Sequence, residues 1–110
     1  KSVLSKKDSI IFASIVEAEA AGDKDRATIA GILYKRLTKG QRLQVDASPE
    51  TYKEAGLPNA PINNPGLKSI EAVLSPVKTT YYFYLHDKSG QVHYAVTYAQ
   101  HLANIKKYLR

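Results

Sequence analysis

The sequence predicts a single α+β domain: a central buried helix, with further helices packed on a small, mainly antiparallel sheet that includes a C-terminal β-hairpin. Three observations predict it. Ile10, Ile11, Phe12, Ile15 and Val16 surround a helical axis instead of lining one side of it, and a helix apolar all round is a buried one. Thr79–His86 and Val92–Val96 are runs of β-formers on either side of Asp87-Lys88-Ser89-Gly90, a good turn tetrad. Capping boxes at Ser5–Asp8 and Thr97–Gln100 open helices near both ends of the chain.

The elements follow in order. The Ser5 hydroxyl and Asp8 carboxylate satisfy the first amides of the central helix, and Gly22 is a natural stop after Ala21. Asp23 reads as the cap of a second helix ending before Gly40. Ala27, Ala30, Tyr34 and Leu37 recur there at helical spacing, while Lys24, Lys35 and Lys39 face water. Arg42–Asp46 alternates as a short strand would, with Gln44 and Asp46 on one side. From Ala47 to Asn64 the chain is punctuated by Pro, Asn and Gly and reads as an irregular loop. Asn64-Pro65 looks like a cap and a first-turn proline, starting a short third helix that stops before Pro76. The closing helix runs to about Leu109, and no internal repeat or linker interrupts the 110 residues.

Composition narrows the function. The formal charge of +6 favours acidic surroundings, but Lys and Arg are scattered and no basic run interleaves with aromatics, which argues against nucleic acid as partner. There is no cysteine, so disulfides and thiolate chemistry are excluded. No apolar stretch is long enough to span a bilayer and no signal peptide is visible; a membrane anchor would lie outside this sequence. Gly-rich phosphate loops, nucleophile elbows and zinc-protease signatures are missing. His86, His93 and His101 match no compact ligand spacing, so neither a metal nor a cofactor is expected.

Glu17 is the most informative candidate for chemistry. It falls in the last turns of the buried helix, flanked by the small residues Ala13, Ser14, Ala20 and Ala21. Limited solvent there predicts a raised pKa, and a carboxylic acid still protonated near neutral pH is what glycosidic cleavage asks of its general acid. A structural ion pair would leave the same sequence. Glu19 follows two residues later, about 200° round the helix, so the two carboxylates cannot flank one bond. Glu19 therefore reads as structural. Gln44 and Asp46 line a cleft or form the polar side of a strand; Asn64 caps a helix or binds a ligand. His93 and His101 can reach a cleft from the hairpin and the last helix. In Tyr81-Tyr82-Phe83-Tyr84 alternation puts Tyr82 and Tyr84 on one face, more commonly for packing than for sugar stacking.

The order of motifs resembles a known family. Ala13-Ser14-Ile15-Val16-Glu17-Ala18-Glu19 is similar to the ASIVExE segment of the endolytic murein transglycosylases, the YceG-like family. Arg36-Leu37 and Leu43-Gln44-Val45-Asp46 resemble its RL…LQxD stretch. Gly56-Leu57-Pro58 through Pro61-Ile62-Asn63-Asn64-Pro65-Gly66 resembles its GLPPGPIxNPG loop. Ser69-Ile70-Glu71-Ala72, Ser75-Pro76, His93, Thr97 and His101 continue the pattern. The resemblance covers nearly the whole chain. It implies cleavage of the β-1,4 bond between N-acetylmuramic acid and N-acetylglucosamine within peptidoglycan glycan strands. No water or cofactor takes part: the C6 hydroxyl of the muramic acid attacks its own anomeric carbon and leaves a 1,6-anhydro end.

By the same resemblance Glu17 is the acid and then the base, and Gln44, Asp46, Asn64 and His93 contact substrate. It also implies cell-wall synthesis enzymes as partners and a site at the outer face of the bacterial cytoplasmic membrane, reached through an anchor outside this chain. The domain spans residues 1–110 but departs from the family between Asp46 and Ser48. There a longer segment is lost and Asp46 runs almost directly into Ser48-Pro49-Glu50-Thr51-Tyr52, which implies a more open cleft. Leu57-Pro58-Asn59-Ala60-Pro61 replaces LPPGP, and Lys35 stands where the family has Asn. A lysozyme-like hydrolase and a non-catalytic module for wall polymer are the competing readings.

Overall fold

The first helix, α1 (Lys6–Glu19), holds the centre of the molecule, as its all-round apolar character requires. The computed structural model describes residues 4–20 and 22–110. Phe12, Ala13, Ile15 and Val16 are wholly buried, and each large side chain contributes about 1.5–3 kcal/mol by leaving water. Ser9 and Ser14 are the buried polar residues of α1, and Ser14 is wholly enclosed. Its hydroxyl donates to the Ile11 carbonyl at 2.6 Å and accepts the Ile62 N–H at 3.1 Å, so it is satisfied and also pins the long loop. Ser5 Oγ accepts the Asp8 N–H at 3.0 Å, which is half of the predicted capping box.

The end of α1 differs from expectation. Ala20, in extended conformation, caps the helix through its N–H to the Val16 carbonyl. Gly22 is not the stop of α1 but the N-cap of α2 (Asp23–Thr38), which makes Asp23 a first-turn residue. Ala21, predicted to flank Glu17, lies outside the described residues. Helix α2 buries Ile29–Leu33 and packs with α1 and α3 (Leu67–Leu74). At Gly31 a Cβ would stand 2.2 Å from the Val77 carbonyl oxygen, so only glycine lets the chain leaving α3 cross α2.

Arg42–Asp46 forms no strand. Leu43 and Val45 are buried while Arg42, Gln44 and Asp46 are exposed, so the alternation is real, but no partner strand runs beside it. Gln44 takes φ 57°, a left-handed break that ends any ladder. The backbone bonds go instead to the following loop: the Gln44 N–H reaches the Thr51 carbonyl, and the Val45 N–H reaches Thr51 Oγ1. A 3-10 helix (Pro49–Tyr52) sits within the segment predicted to be irregular. Helix α3 is capped by Gly66, two residues beyond the predicted Asn64 cap, and it stops before Pro76 as expected.

The predicted hairpin forms, with a first strand four residues shorter than the 79–86 run: β1 (Phe83–His86) and β2 (Val92–Ala95) are antiparallel, with Phe83 opposite Ala95 and His86 opposite Val92. Asp87 Oδ1 accepts the N–H groups of Ser89 and Gln91, and Gly90 supplies the positive φ of the turn. The closing helix α4 (Tyr98–Tyr108) packs on both strands and opens with both halves of its capping box. The result is an α+β fold in two groups: α1–α2–α3 on one side, the hairpin with α4 on the other. None of the described helices is long and apolar enough to cross a membrane.

Candidate active site at the end of α1

The two glutamates of α1 leave the helix in different directions and meet different surroundings. Glu17 turns toward the start of α3. Its Oε1 accepts the Ser69 hydroxyl at 2.8 Å and the Gly66 N–H at 3.0 Å. The Ser69 bond first, then the Gly66 bond, and to a smaller degree the Arg26 charge hold this carboxyl below its usual value, against the opposing effect of desolvation. The raised pKa expected for Glu17 is therefore overturned: the small neighbours along α1 do leave room, and two donors from α3 fill it. An amide at a helix start also favours the carboxylate over the acid.

Glu19 turns the other way, into a cleft of about 440 Å³ between α1, the 42–52 segment and the hairpin. Arg36, Gln44, Asp46, Tyr52, Tyr84 and His101 are among its walls. The Tyr84 hydroxyl donates to Glu19 Oε1 at 2.5 Å. Burial first, and then the charge of Glu19, pushes the Tyr84 phenol well above its usual value, so it stays a donor. Arg36 stitches two walls together, its guanidinium donating to the Leu43 carbonyl at 2.8 Å and the Tyr82 carbonyl at 3.0 Å. Tyr52 donates to Asp46 Oδ1 at 2.5 Å, and that bond above all raises the Tyr52 phenol to about 12. His101 stacks on Phe83 with ring centres 5.1 Å apart, and desolvation lowers its pKa.

The structure thus brings some predicted residues together and separates others. Gln44 and Asp46 do line one cleft, because buried Leu43 and Val45 fix their outward direction, but the carboxylate they share it with is Glu19. Asn64 is exposed on the Glu17 side, two residues before Gly66, and does not cap α3. His93 lies outside the cleft: its Nε2 is 2.8 Å from Asp87 Oδ2, and its ring stacks on Tyr108 at 3.6 Å. His101 does reach the cleft. Tyr82 and Tyr84 turn to the cations of α2, Lys35 and Arg36 respectively, but the expected alternation holds only in part: Phe83 turns to α4, while Tyr81 stacks on Tyr94, the cross-strand partner of Tyr84. Sequence reasoning missed Glu19, Arg36, Tyr52 and Tyr84 as cleft groups. The wheel angle between Glu17 and Glu19 was legible, but which of them faced the cleft depends on where the 42–52 segment folds back. Among the described residues no three His, Asp or Glu side chains gather as metal ligands.

Comparison with known proteins identifies the family. The YceG-like family matches residues 1–50 and 48–107. An endolytic murein transglycosylase of Bacillus subtilis is 32% identical over 131 aligned positions, covering 99% of this chain and 36% of that protein. One from Streptococcus pneumoniae is 26% identical, covering 96% of this chain and 24% of that protein. The chain spans about a third or less of these relatives. A crystal structure of a YceG-like protein from Listeria monocytogenes superposes with a TM-score of 0.84 at 35% identity, covering 91% of this chain and 40% of that one. With nearly every residue matched and the fold shared, the chain belongs to the YceG-like family.

Proposed function

We propose that this chain cleaves peptidoglycan glycan strands internally as a lytic transglycosylase, and that Glu19 is the group that moves the proton. The relatives' printed activity supports the reaction class. The choice of Glu19 over Glu17 is carried by one observation: Glu19 opens on the cleft that holds Gln44 and Asp46, while Glu17 is engaged by Gly66 and Ser69 on the far side of α1.

In this reading a strand lies across the cleft with its scissile β-1,4 bond at Glu19. The protonated carboxyl donates to the bridging oxygen as the bond from that oxygen to the muramic C1 breaks. Positive charge spreads over C1 and the ring oxygen. The C6 hydroxyl of the same sugar then attacks C1, and its proton passes to the Glu19 carboxylate, which returns to its starting form. One carboxyl serves both steps, and the anhydro ring replaces the bond that was lost. The Tyr84 hydroxyl holds the carboxyl in place between steps. Gln44 supplies amide groups for sugar hydroxyls, and the cleft-facing Asp46 carboxylate accepts from them. The two matched family segments meet at residues 48–50, which supports a shortened segment there and hence a cleft with one wall low. Action on murein implies a place outside the cytoplasm, and the family resemblance extends that reading to the membrane's outer face, beside the enzymes that build the wall.

Mass spectrometry of purified glycan strands tests this. The wild-type chain should yield internal fragments with anhydro-muramic ends, one water lighter than reducing ends. Glu19→Gln should lower the rate by a factor of about 10²–10⁴, the scale of general acid–base catalysis. Glu17→Gln should keep most of the rate. The reverse pattern in two folded variants would return the acid to Glu17, and reducing ends would make the protein a hydrolase.

A further inference from the structure

Beside the cleft runs a second groove of about 480 Å³, lined by Arg36, Gln41, Arg42, Gln44, Tyr82 and Phe83. Arg36, Gln44 and Phe83 belong to both, so a strand lying at Glu19 continues into it. Its lining holds two guanidinium groups, two amides and no carboxylate. Arg36 is committed to the carbonyls of Leu43 and Tyr82. Arg42 is different: it is exposed, and its side chain makes no hydrogen bond or ion pair among the described residues.

The rim adds to the charge. Lys39 Nζ lies 2.8 Å from the Tyr82 hydroxyl and Lys35 Nζ is 3.7 Å from the centre of the same ring, so two ammonium groups flank Tyr82. Lys35, expected to face water, is instead held here, with its ammonium donating to the Thr79 carbonyl. Four cations, Lys35, Arg36, Lys39 and Arg42, thus gather where α2 ends and the next segment begins. That places four of the chain's 16 Lys and Arg residues at one end of the cleft.

We propose that this groove is a subsite for a free carboxylate on the peptide stem of a muramic acid, with Arg42 as its principal ligand. The inference rests on the transglycosylase reading for the identity of the strand. A glycan backbone is neutral, and its stems supply the anions along the strand. The planar guanidinium of an uncommitted Arg meets a carboxylate through two parallel N–H bonds. Gln41 and Gln44 lie in the same groove to donate to stem amides or accept from them. Arg42 is therefore a specificity-determining residue that selects strands with charged stems over strands whose stems are neutral.

The test uses strands of matched length, with stem carboxylates free or converted to amides, titrated against the intact chain and then followed through cleavage. Wild type should bind and cleave the free-acid strands roughly three- to tenfold better, the range of a partly exposed charge-assisted pair, and added salt should shrink the gap. Arg42→Gln should level the two substrates. Lys24→Gln removes the same charge from the exposed far end of α2 and should keep the preference. Equal handling of both strands by wild type, or a preference that survives Arg42→Gln, overturns the subsite. So does a Lys24→Gln loss as large as that of Arg42→Gln, since general attraction would then explain the gap. Charge-selective binding through Arg42 without turnover upholds the subsite and removes the transglycosylase reading. Turnover without charge preference does the opposite.

Discussion

Helices α1 and α4 are both opened by a hydroxyl cap, yet they stand in opposite relations to the rest of the chain. Seven of the 14 residues of α1 are buried, whereas none of the 11 in α4 is. The first is held by apolar packing with α2 and α3, around Phe12, Ile15, Val16, Ile29 and Leu33. The second covers a two-stranded sheet and is held by a capping box, by ring contacts such as Phe83–His101, and by the Asn104 amide donating to the Tyr94 carbonyl. Between the two groups the ties are both apolar and polar: Val92 of β2 joins the core of α1 with Tyr84 and Tyr94 packed against it, and hydrogen bonds run from Tyr84 to Glu19, Tyr94 to Asp25, Arg36 to Tyr82 and Lys35 to Thr79. The cleft lies at that seam. Most of the core comes from one side, and the site needs both.

The largest effect should separate the two helices. Phe12→Ala should cost about 3–5 kcal/mol, as deletions of fully buried aromatics do. Leu102→Ala, in the exposed part of α4, should stay within about 0.5 kcal/mol. Urea denaturation of both variants checks the pair. Comparable losses would mean that α4 shares the core of α1, and the division into two groups would fail.

A smaller effect should appear at the seam alone. Arg36→Lys keeps the charge but loses the fork that reaches both Leu43 and Tyr82, leaving at least one carbonyl of the cleft walls unsatisfied. The expected cost is about 1–3 kcal/mol. Amide exchange sharpens the reading: protection should fall in the hairpin and the 42–46 segment, while the amides of α1 keep theirs until global unfolding. Uniform loss along the chain would show one cooperative unit. Smaller again, Tyr84→Phe removes the hydroxyl that positions Glu19 and leaves the ring in place. It should lower kcat roughly tenfold, equivalent to about 1.4 kcal/mol, with little change in KM. A rise in KM at constant kcat would assign Tyr84 to strand binding instead.

The seam also divides what the sequence disclosed from what it hid. Helix α1, the hairpin and the box at Thr97–Gln100 were legible because each is written in neighbouring residues: an all-round apolar pattern, a turn tetrad, a hydroxyl three residues before an amide. The alternation of Arg42–Asp46 reported burial correctly and secondary structure incorrectly. A period of two records which side chains point inward, and the ladder that would make a strand needs a partner the fold does not supply there. Site residues were legible in the same partial way. Gln44 and Asp46 were found because Leu43 and Val45 anchor them, but the pairing with Glu19 rests on contacts across the seam. The Asn64 cap and the Gly22 stop were displaced by two residues and by a change of role, since glycine and asparagine suit either end of a helix turn.

Acid should affect the two groups through different carboxylates, and this is the smallest of the expected effects. Glu17 joins α1 to α3, and Asp23 joins α2 to α3 through Lys68. Asp87 ties the hairpin turn through the Ser89 hydroxyl, His93 and two main-chain amides. All three sit below their ordinary values: Glu17 chiefly through Ser69, Asp23 through Lys68 and Arg26, and Asp87 through Ser89 and then His93. A carboxyl that binds its proton less readily when folded stabilises the fold only while ionised. For Glu17 that contribution is whole above the ordinary value of 4.5 and drains away as pH falls through the lower folded value. Glu17→Gln should therefore flatten the acid limb of the stability curve without abolishing it, because Asp23 and Asp87 still titrate. Asp87→Asn should flatten a different share, read in hairpin amide exchange and not in that of α3. If both substitutions changed the same amides, the polar ties across the seam would transmit acid stress between the two groups, and the cleft would open as one piece.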